Sequence, residues 1–177
     1  MLFIVSILLA SALNSCKMKN EDTGENNVGV VEHPGKESIS NKQSQGPAID
    51  CDTSLWKYVY NPDRLEVIAK CKTVVGVIEE SNADEDGDQH MLLKLDNGQD
   101  ELLTKRNRKK KDGDMVIEAV CANTVSLKKV GNTCQGYLNQ IQIPKIGQHV
   151  KVTGSLVIDS HNGWAEIHPI TKIEVVK

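Results

Sequence analysis

The chain has 177 residues, a formal net charge of −3 and an aromatic content of only 3%. That length suits one globular domain, and the weak negative charge excludes a global positive field for capturing nucleic acid. With so few aromatic residues the core must be built from Val, Ile and Leu, which favours strands.

The first fifteen residues have the pattern of a cleaved export signal. Leu2 to Leu13 is almost wholly apolar but too short to cross a bilayer core of roughly 30 Å. Leu13-Asn14-Ser15-Cys16 resembles the lipobox of bacterial lipoproteins, in which the chain is cut before a cysteine that receives a lipid. This predicts a signal peptide (1–15) and a lipid bilayer as partner through Cys16, hence a location in the cell envelope, periplasmic or surface-exposed. Secretion with cleavage near Ala12 is the alternative.

Residues 16–50 are rich in Asn, Ser, Gly, Glu and Lys and show no usable periodicity. Such a segment buries too little apolar area to offset its ordering entropy, so a disordered tether is predicted. Its typical end-to-end distance would be roughly 30–35 Å. The pattern changes at Cys51, and 51–177 is predicted to be the folded domain.

Four cysteines fall in this predicted domain: Cys51, Cys71, Cys121 and Cys134. An even number suits two disulfides in an oxidising compartment. Three pairings are possible, and Cys51–Cys71 with Cys121–Cys134 is favoured because each closes a short loop. A zinc site is the rival, but there is no Cys-x-x-Cys pair.

Five segments have the apolar and β-branched character of strands. They are Leu65 to Glu80 with a bend at Gly76, Gln89 to Leu95, Met115 to Val120, His149 to Ile158, and Ala165 to Val176 interrupted near Pro169. Cys121 to Gln142 has little regular signal and is predicted to be an irregular, disulfide-pinned excursion. Three strands, an excursion and two more strands predict an all-β fold, a small five-stranded OB-like Greek-key barrel. An immunoglobulin sandwich needs about seven strands, and no helix suits a βαβ unit.

Period-two alternation places a set of polar side chains opposite the core residues of strands two, three and five. They are Asp88, His90, Glu118, Glu166 and His168. Because these strands are successive neighbours in an OB barrel, the sequence predicts a polar row on its outer face. Two loops, Ser81–Gly87 and Asp159–Trp164, flank that face, where OB-folds bind ligands. The second loop adds Asp159, His161 and Trp164 as candidate ligand or metal residues.

The polar row has three uses that the sequence leaves open. Imidazoles and carboxylates could hold a divalent metal such as Zn or Mn, and a histidine beside a carboxylate could act as a general base. The row can also serve structure alone, since outward barrel faces are polar. Asp84-x-Asp86-x-Asp88 does not match an EF-hand loop and predicts an acidic turn.

A basic run between strands two and three carries six positive charges in seven residues. They are Lys105, Arg106, Arg108, Lys109, Lys110 and Lys111. Anionic headgroups, polysaccharide or extracellular DNA are candidate partners, and a solvated loop is the favoured alternative. No aromatic residue is interleaved with the cations, so the run has no specific nucleic-acid signature.

From about Trp56 to Ile173 the chain resembles an uncharacterised family of exported, OB-fold-like proteins of bacteria and archaea. The resemblance rests on Arg64-Leu65, Glu85-Asp86-Gly87-Asp88 with His90, Glu118 with Cys121, Gly147 with Val152-Thr153-Gly154, and His161-Asn162-Gly163-Trp164-Ala165-Glu166-Ile167-His168-Pro169. The family implies the fold but no activity. Asn162 and the basic run depart from its pattern.

The sequence therefore favours a lipid-anchored envelope protein with an OB-like binding domain whose ligand is unknown. The first alternative is a metal-dependent hydrolase, of the phosphodiesterase or nuclease kind, that uses the histidine and carboxylate row. A passive envelope-interaction protein is the second alternative. Whether the chain is an enzyme stays open.

Overall fold

The computed structural model describes residues 51–176. The predicted signal peptide, Cys16 and the tether (16–50) lie outside the described residues, as does Lys177. Within 51–176, no helix has both the length and the apolar character needed to cross a bilayer.

Five strands form the architecture: β1 (Leu65–Ala83), β2 (Gln89–Leu95), β3 (Met115–Ala119), β4 (His149–Asp159) and β5 (Ala165–Val175). They close a barrel in the order β1-β2-β3-β5-β4, in which β3 and β5 are parallel and every other neighbouring pair is antiparallel. This is the strand order of an OB-fold, so the predicted all-β, five-stranded OB-like barrel is confirmed.

β1 closes the barrel because it pairs with two strands, β2 and β4. Residues 65–77 pair with β4 and residues 76–83 pair with β2, so the two pairings overlap at Gly76 and Val77. Gly76 lies opposite Leu95 on one side and Val150 on the other. A Cβ at Gly76 would overlap the carbonyl oxygen of Lys94, so only glycine lets the two strands approach here.

Aliphatic side chains fill the barrel interior. The fully buried members are Val74, Ile78, Met91, Leu93, Met115, Ile117, Val150, Val152, Ile167 and Ile170. Their alternation along each strand directs the intervening residues to the outside of the barrel.

A second apolar cluster covers part of the barrel's outside. A short 3-10 helix, Thr53–Tyr58, brings Leu55 and Trp56 against it, and Tyr58 stacks on Tyr137 with ring centroids 3.8 Å apart. Trp56 also donates from Nε1 to Oγ of Ser155 at 3.1 Å. These aromatic residues are therefore structural.

Both predicted disulfides are present, Cys51–Cys71 and Cys121–Cys134. The second pins the segment after β3, which has no strand and only one 3-10 turn, Lys128–Val130, before β4. The irregular excursion predicted for Cys121 to Gln142 is thus confirmed. Its first residues pack over the acidic turn between β1 and β2.

Most of the basic run forms a helix and not the predicted loop, while the cations on that helix are solvent-exposed as expected. α1 spans Lys105–Lys110 and is capped by Thr104, whose side chain accepts from the amides of Arg106 and Asn107. Asn107 is fully buried and holds the helix against the barrel. Capping and this tertiary contact outweigh the mutual repulsion of the helix's cations.

Candidate ligand-binding cleft and its buried network

The predicted polar row exists, but it does not lie on an exposed face. Asp88, Glu118, Glu166 and His168 are 2%, 7%, 1% and 1% exposed. The row lies on the outside of the barrel, as predicted, but two segments without periodicity cover these strands. The excursion lies over one end of the row, and α1 with the loop between β4 and β5 covers the other.

The excursion buries Asp88 through hydrogen bonds to the acidic turn. The Cys121 amide donates to Oδ1 of Asp88 at 2.8 Å, and the Asn123 side chain donates to the Asp88 carbonyl at 3.1 Å. The Asn123 amide reaches the carbonyl of Gly87 at 2.7 Å. The disulfide at Cys121 therefore fixes the backbone that closes over Asp88.

His168 is the centre of the buried network. Its Nδ1 lies 3.0 Å from Oε2 of Glu118 and 3.3 Å from Oε2 of Glu166. Its Nε2 lies 3.7 Å from Oδ2 of Asp88, and neither of these two atoms has a hydrogen-bond partner within residues 51–176. One imidazole thus contacts three carboxyl groups inside the protein.

Burial and ion pairing drive the pKa values of these groups in different directions. Burial opposes the charged form of His168, but the carboxylates of Glu118 and Glu166 outweigh it and raise the pKa of His168 well above its usual range. Burial likewise opposes ionisation of Glu118, yet the charge of His168 holds the pKa of Glu118 at about 2. Burial raises the pKa of Asp88 to about 7 and raises that of Glu166. The network is therefore a buried imidazolium paired chiefly with Glu118.

His90 links this network to the surface. Its Nδ1 lies 3.2 Å from Oε1 of Glu118, and its Nε2 lies 3.1 Å from Nζ of Lys111. An ammonium can only donate, so the contact assigns Nε2 as the acceptor and places the proton of a neutral His90 on Nδ1. Lys111 also lies over the ring of Trp164, with Nζ 4.3 Å from the centroid.

The loop between β4 and β5 is held by Asp159. Its fully buried carboxylate accepts from the amides of His161 at 2.8 Å and Asn162 at 3.1 Å, and Arg64 Nε lies 3.5 Å away. Asp159 therefore shapes the loop and is not free to bind a ligand. At the end of the loop, Trp164 donates from its indole to Oε1 of Glu166.

Asn107 of α1 ties this loop to the start of β3. Its Oδ1 accepts from the Ala165 amide at 2.8 Å, and its Nδ2 donates to the carbonyls of Ala165 and Asp114, each at 3.0 Å. Thr104 adds a bond from its hydroxyl to the Gly163 carbonyl at 2.9 Å. The basic helix therefore positions Trp164 and Glu166.

A cleft of about 380 Å³ opens between the two loops that flank the row. Its acidic and basic walls are Glu80, Asp84, Glu118, Glu166, Arg64, His90 and Lys111, and the remaining lining residues are Asn82, Asn162 and Trp164. Polar side chains thus dominate a cleft whose floor is the buried network. The cleft lies between the β1–β2 and β4–β5 loops, which flank the ligand-binding face in OB-folds.

Within residues 51–176, three sets of side chains have the spacing of a metal site, and none fits a metal well. In the set of Asp88, Cys121 and Cys134, the two cysteines are joined in a disulfide and offer no thiolate. Asp88, Glu118 and His168 offer donor atoms within 4.8 Å of one another, but the carboxylates of Glu118 and Glu166 raise the pKa of His168 and so favour its protonated form over a metal ligand. Asp84, His90 and Glu118 satisfy the same spacing in the open cleft. There Lys111 opposes a metal, because its ammonium already lies against the imidazole.

Five predicted residues come together in or beneath this cleft: His90, Glu118, Trp164, Glu166 and His168. Asp88 lies beside His168 beneath the cleft and does not line it. His161 is exposed and lies in a separate depression with Asp63 and Ser160. Of the basic run, Lys111 alone lines the cleft.

Five residues that line the cleft were not among the predicted site residues: Arg64, Glu80, Asn82, Asp84 and Asn162. Glu80 carries no pattern that separates it from ordinary surface charges, and Arg64 entered only through the family resemblance. The acidic turn that contains Asp84 was interpreted as a turn able to supply carboxylates to a nearby site. Burial raises the pKa of Asp84, and the charge of Glu118 acts in the same direction against those of His90 and Lys111. The aspartate repeat was the one signal available for Asp84.

The function has to be inferred from the chemistry of this cleft. No protein-family model matches the chain, and no curated protein matches it significantly.

Proposed function

We propose that this protein is a lipid-anchored envelope protein whose barrel binds a polar ligand in the cleft beside Trp164. The observation that supports this most strongly is that the cleft's binding groups are held in place by buried partners. Glu118 and Glu166 are fixed by His168, and Trp164 is fixed by Glu166 and Lys111. Such support keeps a binding site in its productive geometry.

The anchor is supported by the lipobox-like residues that end at Cys16. The two disulfides agree with export, since such bonds persist in oxidising compartments. Metabolic labelling of the full chain with palmitate tests the anchor. We expect label and membrane association in the wild type and loss of both in Cys16→Ala; an unlabelled wild-type chain would disprove it.

The two tryptophans offer a direct test of binding. Trp164 lines the cleft, whereas Trp56 is bonded to Ser155 outside it, so their indole N–H signals in NMR spectra act as reporter and internal control. Acidic and neutral oligosaccharides, nucleotides and amino acids would be titrated into the full chain in detergent. We expect one class to shift the Trp164 signal and leave that of Trp56 unchanged. If no class shifts it, the passive envelope-interaction alternative is favoured instead.

A metal-dependent hydrolase is the second candidate, favoured by the spacing of Asp84, His90 and Glu118. The contact between Lys111 and His90 opposes it. Elemental analysis of purified protein separates the two functions, and the binding proposal predicts no stoichiometric metal. Stoichiometric Zn or Mn that is lost in a folded His90→Ala variant would establish the hydrolase alternative.

A further inference from the structure

We propose that the ligand is an anionic polysaccharide, with one uronate unit in the cleft and neighbouring units on α1. This inference rests on the proposed binding function and names its ligand class. It follows from which charges in the cleft are already compensated and which remain available.

The deep carboxylates of the cleft already have partners. Glu118 contacts both His90 and His168, and Glu166 accepts from Trp164 and lies against His168. The basic side chains at the mouth are less occupied. Lys111 contacts the imidazole of His90 and an indole ring but forms no ion pair within residues 51–176, and Arg64 approaches one carboxylate through Nε at 3.5 Å. The cleft therefore offers donors to an incoming carboxylate.

The remaining walls match the other groups of a sugar acid. Glu80, Asp84 and Asn82 can accept and donate hydrogen bonds to hydroxyl groups, and the Trp164 ring supplies an apolar wall. A carboxylate fits these surroundings better than a phosphate dianion, because Glu80 and Asp84 would repel the second charge. A hydroxylated ring with a single negative charge is therefore the ligand that we infer for the cleft.

α1 continues the cleft as a basic surface. Arg106 donates from Nε to the carbonyl of Asn162, a cleft residue, at 3.1 Å, and Lys111 follows the helix directly. The helix carries five exposed cations, none of which forms an ion pair within the described part of the chain. At about 9 Å in length, it spans the units next to the one in the cleft.

Single-stranded nucleic acid fits this surface less well. Its binding depends on several aromatic platforms, whereas Trp164 is the one aromatic residue lining the cleft. Its phosphates would also meet Glu80 and Asp84. Among anionic polymers, these features favour a polyuronate.

The test titrates the full chain in detergent with galacturonate, a short oligogalacturonate and a neutral oligogalactoside of equal length, using calorimetry. We expect the oligogalacturonate to bind and the neutral oligomer to fail. Lys111→Met should weaken both acidic ligands about tenfold, as expected for loss of one charge-assisted hydrogen bond, while Lys111→Arg should retain binding. Equal binding of the neutral oligomer, or an unchanged affinity in a folded Lys111→Met variant, would overturn the proposal.

Two matched lysine pairs test the contribution of α1. Lys109→Met/Lys110→Met should weaken the oligomer several-fold and leave the monomer unaffected, whereas the equally exposed pair Lys128→Met/Lys129→Met should change neither. Single-stranded DNA and anionic lipid vesicles serve as competitors. If either displaces the oligomer at equal charge concentration, the surface is a general polyanion site and the polysaccharide assignment is wrong.

The failure of this inference is distinguishable from failure of the proposed function. If the uronates do not bind but another probe shifts the Trp164 indole signal, the cleft is a binding site for a different ligand. If no probe shifts that signal, both the ligand class and the binding function are wrong.

Discussion

His168 and Glu118 form an ion pair, 3.0 Å between Nδ1 and Oε2, with side chains only 2% and 9% exposed. Glu166 and Asp88 contact the same imidazole. A charge in such surroundings is tolerated only while its partners are present. The stability of the fold should therefore depend on each of these four side chains and on pH.

Replacing His168 with Gln should greatly destabilise the domain. The change leaves Glu118 buried beside two further carboxyl groups without the imidazole of His168, and breaking a buried pair in this way costs roughly 3–5 kcal/mol. Urea unfolding measures the loss. His149→Gln is the control, because its pair with Asp96 is 40% and 44% exposed and should contribute less than about 1 kcal/mol. Equal effects of the two substitutions would contradict the assigned role of His168.

Stability should fall as pH rises above about 4. The pKa of Asp88 is raised from 3.8 to about 7, so between these values the folded state holds a proton that the unfolded chain loses. His168 acts in the same direction above its usual value of 6.5. Glu118 has the opposite effect at acidic pH, because its pKa is lowered from 4.5 to about 2. Its contribution to stability is complete above pH 4.5 and is lost as the pH falls through about 2.

We therefore expect a stability maximum near pH 4, where the opposite effects of Asp88 and Glu118 cancel, measured by urea unfolding across a pH series. Asp88→Asn should flatten the decline between pH 4 and 7, because the substituted side chain does not titrate. A wild-type stability that rises between pH 5 and 8 would contradict these assignments.

Asn107→Ala should weaken the attachment of α1. The substitution leaves the amide of Ala165 and the carbonyls of Ala165 and Asp114 without their buried partner, which we expect to cost about 2–3 kcal/mol. Urea unfolding gives the loss, and a changed Trp164 fluorescence should accompany it because the helix positions that residue. Asn97→Ala, at an exposed turn, is the matched control and should change neither quantity.

The two disulfides should have similar effects on stability and different effects on the cleft. They close loops of 20 and 13 residues, for which loop entropy predicts about 3 kcal/mol each. Cys121→Ser/Cys134→Ser should also loosen the segment that covers Asp88, and thereby shift the Trp164 indole signal. Cys51→Ser/Cys71→Ser should leave that signal unchanged. A shift of equal size in both double variants would show that the excursion has no specific connection to the cleft.

The fold was predictable because strand periodicity is a local property. Alternation along β2, β3 and β5 correctly grouped His90, Glu118, Glu166 and His168 on the side opposite the core. It could not show that this side is buried. The covering segments lack periodicity, and their positions depend on long-range contacts such as Asn123 with Asp88.

The cleft was only partly predictable for the same reason. Asn107 resembles any polar residue in a basic run, yet it is fully buried and joins three segments of the fold. The sequence showed Lys111 as the last cation of a charged stretch, and only the folded barrel brings it to His90 and Trp164.

β3 and β5 close the barrel through only two paired positions, Val116 with Glu166 and Ile117 with Ile167. Among the strand pairs of the barrel, β3 and β5 share the fewest paired positions. α1 stabilises this pairing because Asn107 bonds to Asp114 and Ala165, which precede the paired residues of the two strands. A polymer bound along α1 would therefore stabilise the pairing of β3 with β5. The amide hydrogens of Val116 and Ile167 would then exchange more slowly in the presence of the polymer than in its absence.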